Sequence, residues 1–319
     1  MNGVLIIDKP AGLTSHDVVA RVRRLLKEKR VGHTGTLDPF ATGVLVVLVG
    51  RATRLAQFLS GAEKEYEGVI RFGYSTDTGD ATGVMRPETK AMETSKEFTK
   101  AWSPSTIEEA LATLRGRIEQ VPPMYSAKKL NGKKLYELAR KGHEVYRAPI
   151  QVTITEFEAR HPDGALVEHN ANGTCDLAVR VVCSAGTYIR TLSESVGERM
   201  GTAAHLSALR RTRAGDFHIR DAQTLAELEE LANSDGDAGS AVLPLRAALS
   251  NMRSICLADE IARRVRHGAT VNAGDLLLDG EQVQMCDATG ELIAVGIYDL
   301  EQKVVHPRVV VAAVDSVVS

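Results

Sequence analysis

The stretch Val31–Gly43 reads VGHTGTLDPFATG, and the interpretation of the whole chain depends on it. Glycine, threonine, aspartate and proline make up most of its length, which predicts a loop over Val31–Pro39. Pro39 suits the first position of a helix, and Asp38 before it suits the N-cap. We therefore expect a loop followed by a helix that begins at Pro39.

Asp38 has two competing interpretations within this loop. As a helix cap, its carboxylate would accept hydrogen bonds from backbone N–H groups, and spacing alone favours this role. As a nucleophile or base, it would stand at the rim of a cleft with its side chain free to turn toward a substrate. The two roles are compatible only if the side chain is free to rotate toward the substrate, so the two interpretations compete.

The sequence around this loop predicts a mixture of strands and helices. Apolar runs and alternation predict strands at Gly3–Ile7, Lys64–Tyr74, Ile150–Phe157 and Leu177–Cys183. Capping residues and apolar stripes predict helices that begin near Thr14, Ser105 and Thr187, and an acidic helix over 225–231. Period two places Tyr66, Ile70 and Phe72 on one face of their strand, and the stripe Leu111, Leu114 and Ile118 extends the second helix.

Length and charge set outer limits on the class of protein. A chain of 319 residues predicts about two domains at roughly 150 residues each. The net charge of −2 excludes a highly basic tail that binds nucleic acid, but it leaves room for a locally basic face. The polar segment Asn233–Ser240 is the best candidate for a surface loop near a domain boundary. The short strands and single helix after it predict a small β-barrel-like unit.

The four cysteines and the chain's N-terminus predict a cytoplasmic protein. Cysteine occurs without a CxxC pair, so we expect reduced side chains that pack as small apolar residues. The N-terminal residues MNGVLIIDKP lack the basic segment of a signal peptide, and no apolar run is long enough to span a bilayer. The polar stretch 87–104 resembles a surface insertion and receives no function.

Several other residues have both a structural and a functional interpretation. Arg190 falls in the first turn of a predicted helix, where a plain surface arginine is the usual case; a buried arginine there would need a carboxylate partner. Tyr66 and Tyr188 fit core packing, or stacking on a nucleobase. The basic stretch Lys128–Arg147 fits a solvated helix face, although its excess of positive charge favours contact with a polyanion.

Six segments taken together resemble the TruB family of bacterial tRNA pseudouridine-55 synthases. They are LIIDKPAGLTS at 5–15, HTGTLDPFATG at 33–43, KEY at 64–66 with GYSTDTGDATG at 73–83, PPMYSAKK at 122–129, CSAGTYIRT at 183–191 and GTAAHLSALRR at 201–211. They occur in the family's order along the chain. No phosphate-binding GxxxxGK[ST], GxGxxG, HExxH or GxSxG motif competes with this interpretation.

The resemblance implies an isomerase that flips uridine 55 out of the T-loop of tRNA and converts it to pseudouridine. It implies that Asp38 is the nucleophile or base and that Arg190 keeps Asp38 ionised and aimed. Tyr66 would stack on the uracil and assist removal of the C5 proton. Tyr188 and Leu209 would wall the pocket, and His33 would contact the opened T-loop. Lys129 would bind substrate within a basic insertion, at about 122–148, that clamps the RNA arm.

The resemblance also implies the architecture and the partners. We expect an α/β (α+β) fold whose catalytic domain, residues 1–250, has a mixed, mainly antiparallel central sheet with flanking helices. A small PUA-like RNA-binding β domain would follow at 251–319. The partner would be the T-arm stem-loop of tRNA, with no membrane, metal, cofactor or protein partner required, and the protein would act as a monomer.

Two alternatives belong to other classes. One is a non-catalytic RNA-binding or tRNA-folding module that retains the fold; the presence of Asp38, Tyr66 and Arg190 argues against it, because pure binding does not require them. The other is a synthase that depends on a guide RNA, as archaeal and eukaryotic members of the family do. Such an enzyme would be inactive on a bare T-arm.

Overall fold

The computed structural model describes residues 1–87, 99, 102–130, 132–160, 165–234, 237–274 and 277–312. Most of the polar stretch 87–104 therefore lies outside the described residues. The strands are β1 (Gly3–Lys9), β2 (Val31–His33), β3 (Thr42–Val49), β4 (Lys64–Phe72), β5 (Gly116–Gln120), β6 (Lys129–Leu130), β7 (Lys133–Lys134), β8 (Ile150–Arg160), β9 (Glu168–His169), β10 (Cys175–Cys183), β11 (Ala204–Ala214), β12 (Phe217–His218), β13 (Ser254–Cys256), β14 (Val271–Asn272), β15 (Gln282–Cys286), β16 (Leu292–Asp299) and β17 (Val304–Val310). The α-helices are α1 (Ser15–Leu25), α2 (Ala56–Leu59), α3 (Pro104–Ala112), α4 (Leu135–Ala139), α5 (Ile189–Arg199), α6 (Leu225–Ser234) and α7 (Asp259–Arg266), with 3₁₀ turns at Gly50–Leu55, Ile219–Asp221, Ala238–Ala241 and Leu245–Leu249.

The central sheet has the order β1-β3-β11-β4-β10-β8-β5, with β2, β9 and β12 paired at its sides. Its described pairs are antiparallel except β3 with β11, which run parallel. This confirms the predicted mixed, mainly antiparallel sheet with flanking helices. The predicted face of β4 is also confirmed, because Tyr66, Ile70 and Phe72 are all buried against the core beneath α3 and α5.

Strand β3 is buried on both faces, which explains its continuous apolar sequence TGVLVVLV. Leu45 and Val47 pack with residues of α1 and α6, whereas Val44 and Val46 belong to a cluster that includes the C-terminal unit. The predicted helix at Pro39 is therefore wrong. Strand β3 begins at Thr42, and the apolar residues after Gly43 lie in this strand. The predicted loop is also shorter than expected, because Val31–His33 pair with β3 as β2.

The helix starts were predicted with mixed success. Thr14 caps α1 as expected, since its hydroxyl accepts from Asp17 N and the Asp17 carboxylate accepts from Thr14 N at 2.8 Å. Helix α3 begins two residues earlier than predicted, with Ser103 as its cap, because Pro104 suits the first helical position. Helix α5 has Tyr188 at its N-cap; the Thr187 hydroxyl instead donates to Ser184 O at 2.9 Å.

Ile118 marks a further difference from the sequence-based expectation. Helix α3 ends at Ala112, and Ile118 lies in β5, paired with Val152 of β8. Apolar residues at positions 111, 114 and 118 match helical spacing, but the chain turns at Gly116, whose φ of +80° suits glycine. The stripe therefore crosses from a helix to an edge strand.

The C-terminal unit is a second sheet, ordered β13-β15-β16-β17-β14, with α7 packed on it. A hydrophobic cluster joins this unit to the first sheet and includes Leu55, Phe217, Leu249, Leu292 and Val309. Arg54 adds a polar contact, because its Nη1 donates to Val310 O at 2.8 Å. The shared cluster gives the second unit a packed position against β1 and β3.

The cysteines mostly follow the expectation from the sequence. Cys175, Cys183 and Cys286 are buried free thiols, whereas Cys256, at the end of β13, is exposed. No helix in the described part of the chain combines the length and the apolar character needed to cross a bilayer.

The shared cluster predicts that the two units unfold together. Leu292→Ala is expected to lower the free energy of unfolding by about 2–5 kcal/mol, because Leu292 is fully buried where the two units meet. Leu278→Ala is the control, since Leu278 is 77% exposed and its truncation should change stability by about 0.5 kcal/mol or less. Urea unfolding followed by circular dichroism and by the fluorescence of Trp102 checks this. Two separate transitions, with only one of them shifted by Leu292→Ala, would contradict it.

Candidate active site

The loop between β2 and β3 is held by side chains that bind its main chain. The Ser15 hydroxyl accepts from Leu37 N at 2.9 Å, and Lys9 Nζ donates to Pro39 O at 3.1 Å. From the other side, Arg211 Nε donates to Val44 O at 2.7 Å and its Nη2 to Gly35 O at 3.1 Å. The loop is thus fixed at both ends, and Asp38 projects from it.

Asp38 forms an ion pair with Arg190, the residue after the start of α5. Arg190 Nε lies 2.9 Å from Asp38 Oδ2, outside good hydrogen-bond geometry, and Nη2 donates to Oδ1 at 3.3 Å. Only 4% of the Arg190 side chain is exposed, so the surface interpretation of this arginine is wrong. The cap interpretation of Asp38 is also wrong, because no helix follows it and its carboxylate points to Arg190.

The remaining donors of Arg190 bind two other segments. Nη1 donates to Thr78 O and Nη2 to Tyr125 O, each at 2.7 Å. Asp80 lies beyond, with its Oδ2 3.7 Å from Arg190 Nη1. These contacts compensate for placing a cation in the first turn of a helix, where the helix dipole opposes it.

Opposing effects act on the pKa of Asp38. Burial raises this pKa, the Arg190 guanidinium lowers it, and the negative charge of Asp80 raises it; the balance stands above the ordinary value for aspartate. The side chain nevertheless remains 34% exposed, which gives a substrate access to the carboxylate. Arg190 is therefore the main group that favours the ionised form.

A hollow of about 310 Å³ opens beside Asp38 and contains most of the predicted site residues. Tyr66, Tyr188 and Leu209 line it together with Asp38 and Arg190. Tyr66 and Leu209 are each 8% exposed, so they present small apolar surfaces to the hollow. The sequence prediction that these five residues come together is consistent with the structure.

A larger hollow, of about 830 Å³, lies on the opposite face of β4 between Glu67, Val69 and Arg210. Asp38 and Arg190 do not line it, and among its described lining residues Glu67 forms no ion pair with Arg160 or Arg210. The chemistry of the lining, rather than its volume, therefore identifies the smaller hollow as the candidate site.

Of the remaining predicted substrate-binding residues, His33 lies outside the lining of the smaller hollow. His33 is half-buried in β2, with its ring 5.5 Å from that of His16, and burial lowers its pKa to about 4, so its ring is neutral at pH 7. Lys129 has its main chain in β6, but its side chain is outside what the structure describes. Its neighbour Lys128 is exposed at the hollow.

The basic segment 122–147 adjoins the hollow. It contains the hairpin β6–β7 and helix α4. A hydrogen bond joins its two ends, because Arg147 Nη1 donates to Pro122 O at 3.2 Å. Tyr125 connects the segment to Arg190 through its carbonyl. Several of its basic side chains are exposed: Lys128, Lys133, Arg140 and Lys141.

Sequence reasoning gave no role to Asp80 or Arg211. Asp80 lies within the motif TDTGDATG, where it could be noticed only as part of a resemblance. Arg211 carried a usable signal, because period two along β11 places it on the same face as Leu209 and opposite to Arg210.

Comparison with known proteins gives a consistent result. Residues 23–189 match the profile of the TruB family pseudouridylate synthase (N terminal domain), and residues 190–255 match the tRNA pseudouridylate synthase B C-terminal domain. The chain is 45% identical over 282 residues to tRNA pseudouridine synthase B of Geobacillus thermodenitrificans, covering 88% of this chain and 89% of that protein. It is 40% identical over 298 residues to the Bacillus subtilis protein of the same name, covering 92% of each.

Solved structures show the same fold. A chain of a Cbf5–Nop10–Gar1 complex superposes with a TM-score of 0.70 at 28% identity, covering 98% of this chain and 86% of that chain. A chain of an H/ACA RNP bound to a substrate RNA containing 2′-deoxyuridine gives the same TM-score and coverage at 25% identity. The family profiles and the identity over nearly the whole length agree with the site geometry: the chain belongs to the TruB family of pseudouridylate synthases.

Proposed function

We propose that the protein converts uridine 55 in the T-loop of tRNA to pseudouridine. The observation that supports this most directly is the Asp38–Arg190 ion pair at the mouth of a hollow walled by Tyr66, Tyr188 and Leu209. An ionised carboxylate beside aromatic and apolar walls suits a flipped pyrimidine nucleoside. Flipping costs a few kcal/mol, which contacts to the RNA backbone can offset.

The reaction breaks the C1′–N1 bond, turns the base and joins C5 to C1′. Asp38 acts as nucleophile or base on the extruded nucleoside, and Arg190 holds it ionised and aimed. Tyr66 stacks on the uracil and assists loss of the C5 proton, while Tyr188 and Leu209 confine the base as it turns. The proton lost from C5 is balanced by the proton gained at N1, so no net oxidation or reduction occurs.

The other parts of the chain bind the RNA. Residues 1–250 form the catalytic domain, and 251–319 form a PUA-like RNA-binding domain. Within the insertion at 122–148, Lys129 and its basic neighbours clamp the T-arm, and His33 contacts the T-loop opened by the flipped uridine. The protein works as a monomer in the cytoplasm, without a protein partner or a membrane.

Release of tritium from a T-arm stem-loop labelled at C5 of the target uridine tests this function. The proposal predicts release by the purified protein alone. A guide-RNA-dependent synthase is the second candidate, favoured by the structural similarity to the Cbf5 chain, and it predicts no release from the bare stem-loop. Binding without release under any condition would instead support the non-catalytic alternative.

The exposed basic segment predicts a steep dependence of RNA affinity on salt. Affinity for the T-arm should fall as salt rises, because each neutralised phosphate releases counterions. The double variant Lys133→Ala/Lys141→Ala should reduce the slope of log affinity against log salt by about one per lost phosphate contact. Fluorescence anisotropy across a salt series measures both, with a thermal melt as the control for folding. An unchanged slope in the double variant would show that the basic segment does not contact the RNA.

A further inference from the structure

Arg211 is a buried cation whose position the proposed mechanism does not use. It is 2% exposed and lies on β11, and no carboxylate of the described residues forms an ion pair with it. Its guanidinium instead donates to main-chain carbonyls of the loop that carries Asp38, Gly35 O at 3.1 Å and Thr36 O at 3.5 Å, and to Val44 O at 2.7 Å in the strand that follows the loop. Burying a positive charge without a counter-ion costs free energy, so we expect this charge to serve a function that outweighs the cost.

The sheet register places Arg211 directly beside Tyr66. The two residues are paired across the antiparallel strands β11 and β4. Side chains of paired residues point to the same face and begin about 4.5–5.5 Å apart. Both side chains line the hollow that contains Asp38. Arg211 therefore lies next to the aromatic ring and beneath the loop at the same time.

The charge of Arg211 bears on the ionisation of Tyr66. Burial raises the pKa of the Tyr66 phenol, because the phenolate loses its water, and the Arg211 guanidinium lowers it. Lys64, two residues earlier on the same face of β4, is engaged elsewhere: its Nζ donates to Ser60 O and Ala62 O at 2.7 and 2.5 Å. Arg211 is therefore the cation that pairs with Tyr66 across the two strands and favours its phenolate form.

We propose that Arg211 is a positioning residue for the last step of the reaction, in which it orients Tyr66 and stabilises the phenolate that removes the C5 proton. This inference rests on the proposed function. In that step the C5–H bond breaks and the proton passes to the Tyr66 oxygen. The electron pair of that bond restores the C5–C6 double bond, while the C6–N1 π pair moves to N1, which takes up a proton from solvent. The phenol then returns the proton to solvent. An arginine suits this role because its planar fork can bind the loop carbonyls and still face the phenol.

The test compares Arg211→Lys with Arg210→Lys in single-turnover reactions. Arg210 is the matched control, since it is the adjacent arginine on the opposite face of β11 and pairs with Asp8 at 2.7 Å. Each protein reacts with T-arm RNA that carries either uridine or 5-deuterouridine at the target position. The pH ranges from neutral to about 10, the ordinary pKa of tyrosine.

We expect Arg211→Lys to slow proton removal by about 10²-fold at neutral pH, with a deuterium isotope effect well above that of the wild type. The rate should recover as pH rises, because the less stabilised phenolate then forms. In a protein that already carries Tyr66→Phe, adding Arg211→Lys should cause no further increase in the isotope effect. Arg210→Lys should behave as the wild type in both respects.

A rate loss that is the same at every pH, with an unchanged isotope effect, would overturn the inference and leave Arg211 as a purely structural anchor. Arg211→Gln replaces Arg211→Lys if circular dichroism shows that the lysine variant does not fold, and the same two outcomes apply. Failure of the proposed function is a separate result, since the wild-type protein would then release no C5 proton at all.

Discussion

Replacing Asp38 by asparagine is expected to lower the rate of pseudouridine formation by at least about 10⁴-fold, to the limit of detection. The amide is nearly the same size as the carboxylate, but it is neither a nucleophile nor a base. The hollow and its walls remain, so affinity for the T-arm should stay within a few fold of the wild type. Tritium release measures the rate, and fluorescence anisotropy measures the affinity.

Asp8→Asn is the matched control for this prediction. Asp8 is also a partly exposed aspartate paired with an arginine, at 2.7 Å from Arg210, but it does not line the candidate site. Its replacement should therefore change the rate only a few fold. Normal turnover by Asp38→Asn would refute the assignment of the catalytic residue.

Arg190→Lys is expected to lower the rate by about 10²–10³-fold without a matching loss of RNA affinity. One ammonium group cannot replace a planar fork that reaches Asp38, Thr78 O and Tyr125 O together. The loop around residue 38, the segment at residue 78 and the basic segment would then lose their common contact.

The same substitution should move the acid side of the pH–rate profile. Catalysis needs the Asp38 carboxylate ionised, so activity falls as pH drops through its pKa. Burial already raises that pKa and Arg190 opposes the rise, so a weaker cation contact raises it further. Activity should therefore be lost at a higher pH in Arg190→Lys than in the wild type.

Arg199→Lys is the control for both effects, because Arg199 lies at the exposed end of the same helix. Its rate and its pH profile should match those of the wild type. If the acid side of the profile in Arg190→Lys stayed where it is in the wild type, Arg190 would not govern the ionisation of Asp38.

Patterns along the chain were enough to predict β1, β4, β8 and β10 of the first sheet and the β character of the second unit, but they predicted neither β3 nor β11. Alternation identified the buried face of β4, and the capping box identified the start of α1, because these signals depend on neighbours a few residues apart. The same signals failed where one period changed into another. Ile118 continued a helical stripe, yet it lies in a strand beyond the turn at Gly116.

The sequence by itself determined the family, through motifs spread from residue 5 to residue 211, and with it most of the side chains of the site, although not Asp80 or Arg211. Only the tertiary structure decided what Asp38 and Arg190 do. Within their own segments they looked like a helix cap and a surface arginine, because the preferences that govern local structure ignore residues 152 positions apart. Folding brings the two side chains together, buries Arg190 almost completely and Asp38 in part, and pairs Arg211 with Tyr66 across two strands. Ionisation and reactivity are set by those surroundings, which no stretch of sequence contains.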